Sequence, residues 1–281
     1  MRLGIGLPTT VAGADPSLLT EWAQLAEARR FASLGAHDRL LYGNIEPLTA
    51  LAAAAAVTSR IEIACLLAIA PLRPAALLAK QARGLEAISG GRIVLGLGLG
   101  ARRDDYEVSD APYDRRGELF ERELLDLSSL WRHPGLGPSG ATARPRMLLG
   151  GSSDVALLRL TRFGDGYVHS GGPARAFRTA SDRVLAAWSD ARRPGRPELW
   201  GIGYFALGPD AAEEGRRDLL AYYAFTGGFA GRIASGLLDH RSAVRDLARE
   251  YADSGCDHLV LFPTIARIDQ VERLADALAG T

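Results

Sequence analysis

Three things are scarce in this 281-residue chain: cysteine, lysine and long apolar runs. Only Cys65 and Cys256 are present, without the spacing of a metal or redox pair, so neither a thiolate centre nor a disulfide framework is expected and a reducing, cytoplasmic setting is. Lys80 is the single lysine, which reflects an arginine- and alanine-rich composition. The longest candidate span, residues 48–57, falls far short of the roughly 20 apolar residues that cross a bilayer, and residues 1–8 do not have the form of a signal peptide. Net charge is missing too. The 33 basic and 33 acidic residues cancel, leaving no global field to gather nucleic acid or an anionic membrane, and neither partner is expected. The five histidines are scattered and no pair has the spacing of a helical metal site, so no metal is expected. No G-x-S-x-G elbow follows a strand-like run, which disfavours hydrolysis.

What is present is a hydrophobic content of 47%, enough for a full core in one domain spanning 1–281. Strand-like runs recur at 3–7, 39–42, 61–70, 92–98, 146–150, 166–169, 199–207 and 258–262. Helical patterns separate them, at 17–34, 47–59, 75–89, 117–131, 154–163, 173–191, 211–225 with 241–254, and 269–278. Eight alternating pairs predict an α/β fold of the (β/α)8 TIM-barrel type, with extended loops at the C-terminal face where the active site of such a barrel lies. Long excursions at 99–116 and 222–240 belong to that face, and the Pro- and Gly-rich segment 132–144 reads as a plain connector.

Two glycine-rich stretches stand out. Ser89-Gly90-Gly91-Arg92 stops a helix, and the strand after it carries Gly96, Gly98 and Gly100 at alternate positions, leaving room for something flat to lie against it. A dinucleotide-binding fingerprint is not met, because no acidic ribose ligand follows a second strand in a βαβ frame. The second stretch, Gly150-Gly151-Ser152-Ser153, ends a strand and opens a helix. Bare amides at a helix N-terminus favour a phosphate; ordinary capping by either serine is the alternative. His169, at a strand end, reads as a structural residue.

These stretches, with Glu46-Pro47-Leu48-Thr49, Thr58-Ser59-Arg60-Ile61, Asp105-Tyr106, Arg116-Gly117 and Asp165-Gly166-Tyr167, make the chain resemble the bacterial luciferase-like monooxygenase superfamily of flavin- or deazaflavin-dependent barrels. The resemblance runs from the first strand to about Val168. It implies an isoalloxazine over the barrel mouth, with its ring beside Leu66, Leu67, Gly98 and Leu99 and its phosphate near Gly150, Gly151, Ser152 and Ser153. It also implies a non-proline cis peptide at Leu66-Leu67, within a bulge of the third strand. Tyr42, Arg102, Arg103 and Tyr106 are the implied substrate and lid residues. Two positions depart from the family: Tyr42-Gly43-Asn44 stands where relatives carry an acid-histidine pair, and Leu99 stands where luciferase has a phosphate-binding arginine. Asn44 is therefore expected at the end of the second strand, orienting cofactor or substrate without titrating.

The leading function is a monooxygenase of a small organic substrate, using molecular oxygen and reduced FMN from a separate flavin reductase. The alternatives are hydride transfer with coenzyme F-420, whose anionic tail would meet Arg102, Arg103, Arg115 and Arg116, and a non-catalytic flavin-binding protein. A homodimer is expected through the alanine-rich helix 47–59.

Overall fold

The computed structural model describes residues 1–133, 135–138 and 144–279, so the 132–144 connector lies partly outside the described residues. In chain order the elements are β1 (Arg2–Gly6), α1 (Leu18–Ala28), β2 (Ser33–Ala36), α2 (Pro47–Ala56), β3 (Glu62–Ile69), α3 (Ala75–Ser89), β4 (Ile93–Gly98), α4 (Arg103–Val108) and α5 (Arg116–Leu130). They continue with β5 (Arg146–Gly150), α6 (Asp154–Phe163), β6 (Gly166–His169), α7 (Ala174–Asp190), β7 (Glu198–Phe205), α8 (Ala211–Tyr222), α9 (Phe229–Ser235), α10 (Arg241–Asp253), β8 (His258–Pro263) and α11 (Asp269–Leu278). The eight strands are parallel and close in sequence order, β8 pairing with β1, which is the expected (β/α)8 barrel. Among the described residues no helix is long and apolar enough to cross a membrane.

One strand is misplaced by the sequence reading. The expected second strand at 39–42 is a loop; β2 lies earlier, at Ser33–Ala36. The first helix accordingly ends at Ala28, and Arg30 turns the chain at φ 63°. Gly35 is therefore no helix stop. It is a strand residue on which a Cβ would come within 2.8 Å of the Phe262 ring. All four β2 residues are buried, so the strand lacks the polar alternation that betrays a half-exposed one.

That packing is general inside the barrel. Small residues on one side make room for large ones on the other: a Cβ on Gly6 would collide with Phe262, and one on Gly4 with the Ser33 hydroxyl. Trp200, Ile202, Tyr204, Val260 and Phe262 supply the bulk of the interior, and a second apolar layer joins the sheet to the helices. The Ser89-Gly90-Gly91-Arg92 turn serves this outer layer. Gly90 and Gly91 take φ of 66° and 88°, and the Arg92 guanidinium donates to the carbonyls of Ala55, Thr58, Ile61 and Ser89, locking α2 and α3 to the sheet.

Candidate active site

The site begins with a bulge in β3. Cys65 pairs with Leu95 of β4, but the next paired residue is Ala68, with Leu97, so β3 takes three steps where β4 takes two. Within the bulge the Leu66-Leu67 peptide is cis, at the position the resemblance implies. Leu67 stays partly exposed, and its side chain occupies the space beside Gly96, Gly98 and Gly150, where added Cβ atoms would come within 2.6, 3.0 and 2.4 Å of it. The glycines of β4 and β5 thus accommodate Leu67 first.

The bulge carbonyl is claimed by His37, the first residue after β2. His37 Nδ1 lies 2.5 Å from Leu66 O; because a carbonyl only accepts, Nδ1 carries the proton and Nε2 is left as an acceptor. The Tyr204 hydroxyl donates to Nε2 at 3.3 Å and is itself bonded to the Tyr223 hydroxyl, which must then donate to Tyr204. The imidazole stacks on Phe262 with ring centroids 3.7 Å apart. Burial pushes the His37 pKa down to about 4 and that of Tyr204 well above the usual phenol value, so at neutral pH both are uncharged and the chain of donors runs one way.

The mouth is covered by the hairpin of α8 and α9, inserted between β7 and α10. Leu238, just past α9, returns to bridge Phe205 at the C-terminal end of β7, so the helix pair projects from that rim. Tyr222 is buried at the end of α8 and its carbonyl accepts from two arginines, Arg39 at 3.3 Å and Arg102 at 2.7 Å. Arg39 also lies over the Tyr42 ring, and Arg102 over Phe225. The loop after β2 is held by buried Asp105, whose carboxylate accepts from the amides of Leu40 and Leu41.

Beside the bulge, the turn after β5 is open to solvent. Gly151 has φ 115°, and residues 151 to 153 are all exposed. Ser153 caps α6, accepting from the Ala156 amide at 3.2 Å, which leaves Ser152 as the free hydroxyl. Arg183 from α7 reaches this turn, donating to Ser152 O at 2.6 Å and to Asp154 at 2.7 Å. An exposed helix N-terminus, a hydroxyl and a guanidinium form a donor set suited to a phosphate.

The sequence candidates therefore separate. Leu66, Leu67, Gly98 and Gly150 meet at the bulge, with Gly151, Ser152 and Ser153 adjoining. Tyr42 and Arg102 belong to the aromatic cover. Tyr106 is fully buried with its hydroxyl on Leu99 O, and Arg103 is an exposed residue paired with Asp114 at 3.3 Å. Asn44 does not end β2. It sits eight residues past Ala36, bonds Ile45 O at 3.4 Å and lines a small cleft with Pro8 and Thr9. The residues that do follow the strand are His37 and Asp38, an acid-histidine pair in reversed order. Sequence reasoning missed His37, Tyr204, Tyr223, Arg39 and Arg183. The signal for His37 was its position two residues beyond Gly35, on the same face of β2. Among the described residues no cluster of His, Cys, Asp or Glu could hold a metal.

Known proteins agree with this fold. The chain is 33% identical to an uncharacterised Mycobacterium tuberculosis protein over 142 residues, 46% of this chain and 49% of that one. It is 36% identical to pyrimidine monooxygenase RutA of Enterobacter cloacae over 93 residues, 31% of this chain and 25% of that one. It thus spans about half the length, or less, of these curated relatives. Among solved structures, monooxygenase RslO1 of Streptomyces bottropensis superposes with a TM-score of 0.78 at 19% identity, covering 99% of this chain and 98% of that one. An F420-dependent secondary alcohol dehydrogenase does so with 0.79 at 13% identity and the same coverage. The sequence profile of luciferase-like monooxygenases matches residues 1–259, and the chain belongs to that family.

Proposed function

We propose that the chain is a reduced-FMN-dependent monooxygenase of a small organic substrate, working at the C-terminal mouth of the barrel with molecular oxygen and a separate flavin reductase. The observation that carries this reading is the contact of Leu67 with Gly150, which sets a partly exposed apolar bulge directly beside an anion-ready helix N-terminus. That donor set suits a flavin phosphate, with Ser152, the α6 amides and Arg183 holding it and Leu67, Gly98 and Leu99 backing the ring. Bound reduced flavin would supply the electrons that activate oxygen.

This chain's own residues bind, exclude water and handle a proton. Tyr222, Tyr223 and Phe225 cover the mouth, which strengthens every electrostatic contact beneath them. With its hydrogen donated to Tyr204, the Tyr223 oxygen presents lone pairs to a proton donor. A proton given up there by a group bound beneath the cover moves one proton along Tyr223 and Tyr204 to His37 Nε2. Because burial holds the His37 pKa at about 4, that transient state lies about 4 kcal/mol uphill at pH 7, and the proton returns by the same path. The Leu66 carbonyl fixes the imidazole for that role.

The FMN phosphate would meet the open α6 turn and the Ser152 hydroxyl beside Arg183, itself paired with Asp154, whereas the anionic tail of coenzyme F-420 needs rim arginines free as its sole donors. Arg103 and Arg115 are instead paired with Asp114 and Glu118, Arg116 donates to Tyr113 O, and Arg102 is buried. A homodimer and a cytoplasmic setting belong to the same reading; Thr49 and Ala56 lie exposed on α2, and light scattering at micromolar concentration checks the pairing. The primary test is a parallel titration with FMN, FAD and coenzyme F-420, read by absorbance and thermal denaturation. Selective stabilisation by FMN, about 2.7 kcal/mol at a hundredfold excess over Kd, with oxygen uptake in the presence of a flavin reductase, is expected. Selective binding of F-420 without oxygen uptake would overturn it, and FMN binding without turnover on any substrate would favour the non-catalytic reading.

A further inference from the structure

Two guanidinium groups meet under the α8–α9 cover without a carboxylate between them. Arg102 is 6% exposed and Arg39 half-buried, and among the described residues neither forms an ion pair. Both spend one nitrogen on the Tyr222 carbonyl, and Arg39 Nε and Arg102 Nη1 remain buried with no hydrogen-bond partner. Leaving such donors unmet costs about 1–3 kcal/mol each, more for charged groups, and two like charges add their repulsion. Burial, then the charge of Arg39, hold the Arg102 pKa below the ordinary arginine value.

From this geometry we infer that Arg39 and Arg102 form the recognition site for a substrate that bears a carboxylate on an apolar or aromatic body. The inference rests on the active-site reading above and names the substrate class of that site. The unmet donors select the anion: Asp105 and Asp104 both lie near Arg102, but Asp105 is spent on the Leu40 and Leu41 amides and neither carboxylate reaches Arg39 Nε or Arg102 Nη1. The surroundings select the body, since Tyr42, Tyr222 and Phe225 line the guanidinium faces at 4.0 to 5.3 Å. Position ties the pair to the chemistry: Tyr222 adjoins Tyr223, whose hydroxyl reaches Tyr204 and through it His37. In the covered state the Tyr222 carbonyl, at the negative end of the α8 dipole, takes the place the carboxylate would hold. Phe225, 42% exposed, is the residue whose displacement admits it.

Benzoate and benzamide, alike in shape and different by one charge, are the probes. Calorimetric titration of the wild-type protein, with and without saturating FMN, should give benzoate at least a tenfold lower Kd than benzamide. Arg39→Met and Arg102→Met should each raise the benzoate Kd tenfold or more while leaving benzamide unchanged. Arg102→Lys keeps the charge and loses the fork, so it guards against a misfolded methionine variant and should weaken benzoate three- to tenfold. Equal binding of the two probes, or benzoate affinity unaltered in Arg39→Met and Arg102→Lys, overturns the inference. FMN and riboflavin are titrated onto the same variants. If they lose FMN affinity and keep riboflavin affinity, the anion is the cofactor's phosphate and the inference also fails. Arginine-dependent benzoate binding in a protein that binds no flavin would sustain the anion site and sink the monooxygenase reading instead.

Discussion

The barrel holds a buried histidine at each end, and the two differ in what surrounds them. At the mouth, His37 stacks on Phe262 and is linked through Tyr204 to Tyr223 on the covering helix pair. At the floor, His258 stacks on Trp200 at 3.9 Å, lies 2.9 Å from the Ser33 hydroxyl and 3.8 Å from Glu62. Arg146 bridges Glu62 and Glu198 around it, and Arg2 joins the same carboxylates. Serine, histidine and glutamate in that order mimic a nucleophilic triad, yet Ser33 and His258 are fully buried under the ion pairs. A buried histidine is thus a plug at one end and, in the proposed reading, the terminus of a relay at the other. Access and the next hydrogen-bond partner decide which.

The largest expected effect is at the floor. His258→Ala leaves a cavity beside Trp200 and strips Ser33 of its partner, and should cost about 3 kcal/mol or more in a denaturant titration. Flavin affinity of the folded fraction should not change. A loss of affinity at constant stability would erase the distinction between the two ends.

Acid should expose the floor next. Burial and the cations Arg2 and Arg146 hold the His258 pKa at about 2, so the unfolded chain binds a proton that the folded one refuses. For a histidine depressed in this way, stability is full above the unfolded value near 6.5 and is lost as pH falls below it, at about 1.4 kcal/mol per pH unit. Burial raises Glu123 to about 8 and Asp218 to about 6, and these titrate in the opposite sense. The useful readout is therefore a difference: between pH 7 and 5, wild type should lose about 2 kcal/mol more than His258→Gln. Parallel pH curves for the two proteins would show that His258 is not held neutral.

At the mouth the effects should appear in turnover. Tyr204→Phe breaks the relay and should lower kcat more than tenfold while stability moves by about 1 kcal/mol. Because His37 stays neutral down to about pH 4, wild-type kcat should show no titration near 6.5. The smallest effect is expected at Asn44, outside the relay: Asn44→Ala should change kcat less than twofold.

The eight-pair barrel was legible because amphipathic helices and apolar strands repeat along the chain, and the α6 start was legible from its glycines and serines. The second strand was not. Its Ser-Leu-Gly-Ala run is buried on both faces, and the more apolar Leu40 and Leu41 beyond it are exposed, 44% and 51%. That displacement put Asn44, in place of His37, at the expected end of the second strand. Tyr204 and Tyr223 had no local signal, since their pairing depends on how the α8–α9 insertion folds back. Gly151, expected beside a phosphate, has a local reason to be glycine: at φ 115°, and with Ala156 2.8 Å from any added Cβ, a side chain there strains the turn itself. Ser152 and Arg183 are the cleaner probes.

The central claim, that the mouth and not the floor holds the flavin, is tested most directly by anaerobic titration of reduced FMN onto wild type, His258→Gln and the double variant Ser152→Ala with Arg183→Met. Wild type and His258→Gln should bind alike, and the double variant about tenfold more weakly, as loss of charge-assisted phosphate contacts requires. Equal affinity in all three, or weakened binding only in His258→Gln, would contradict the account.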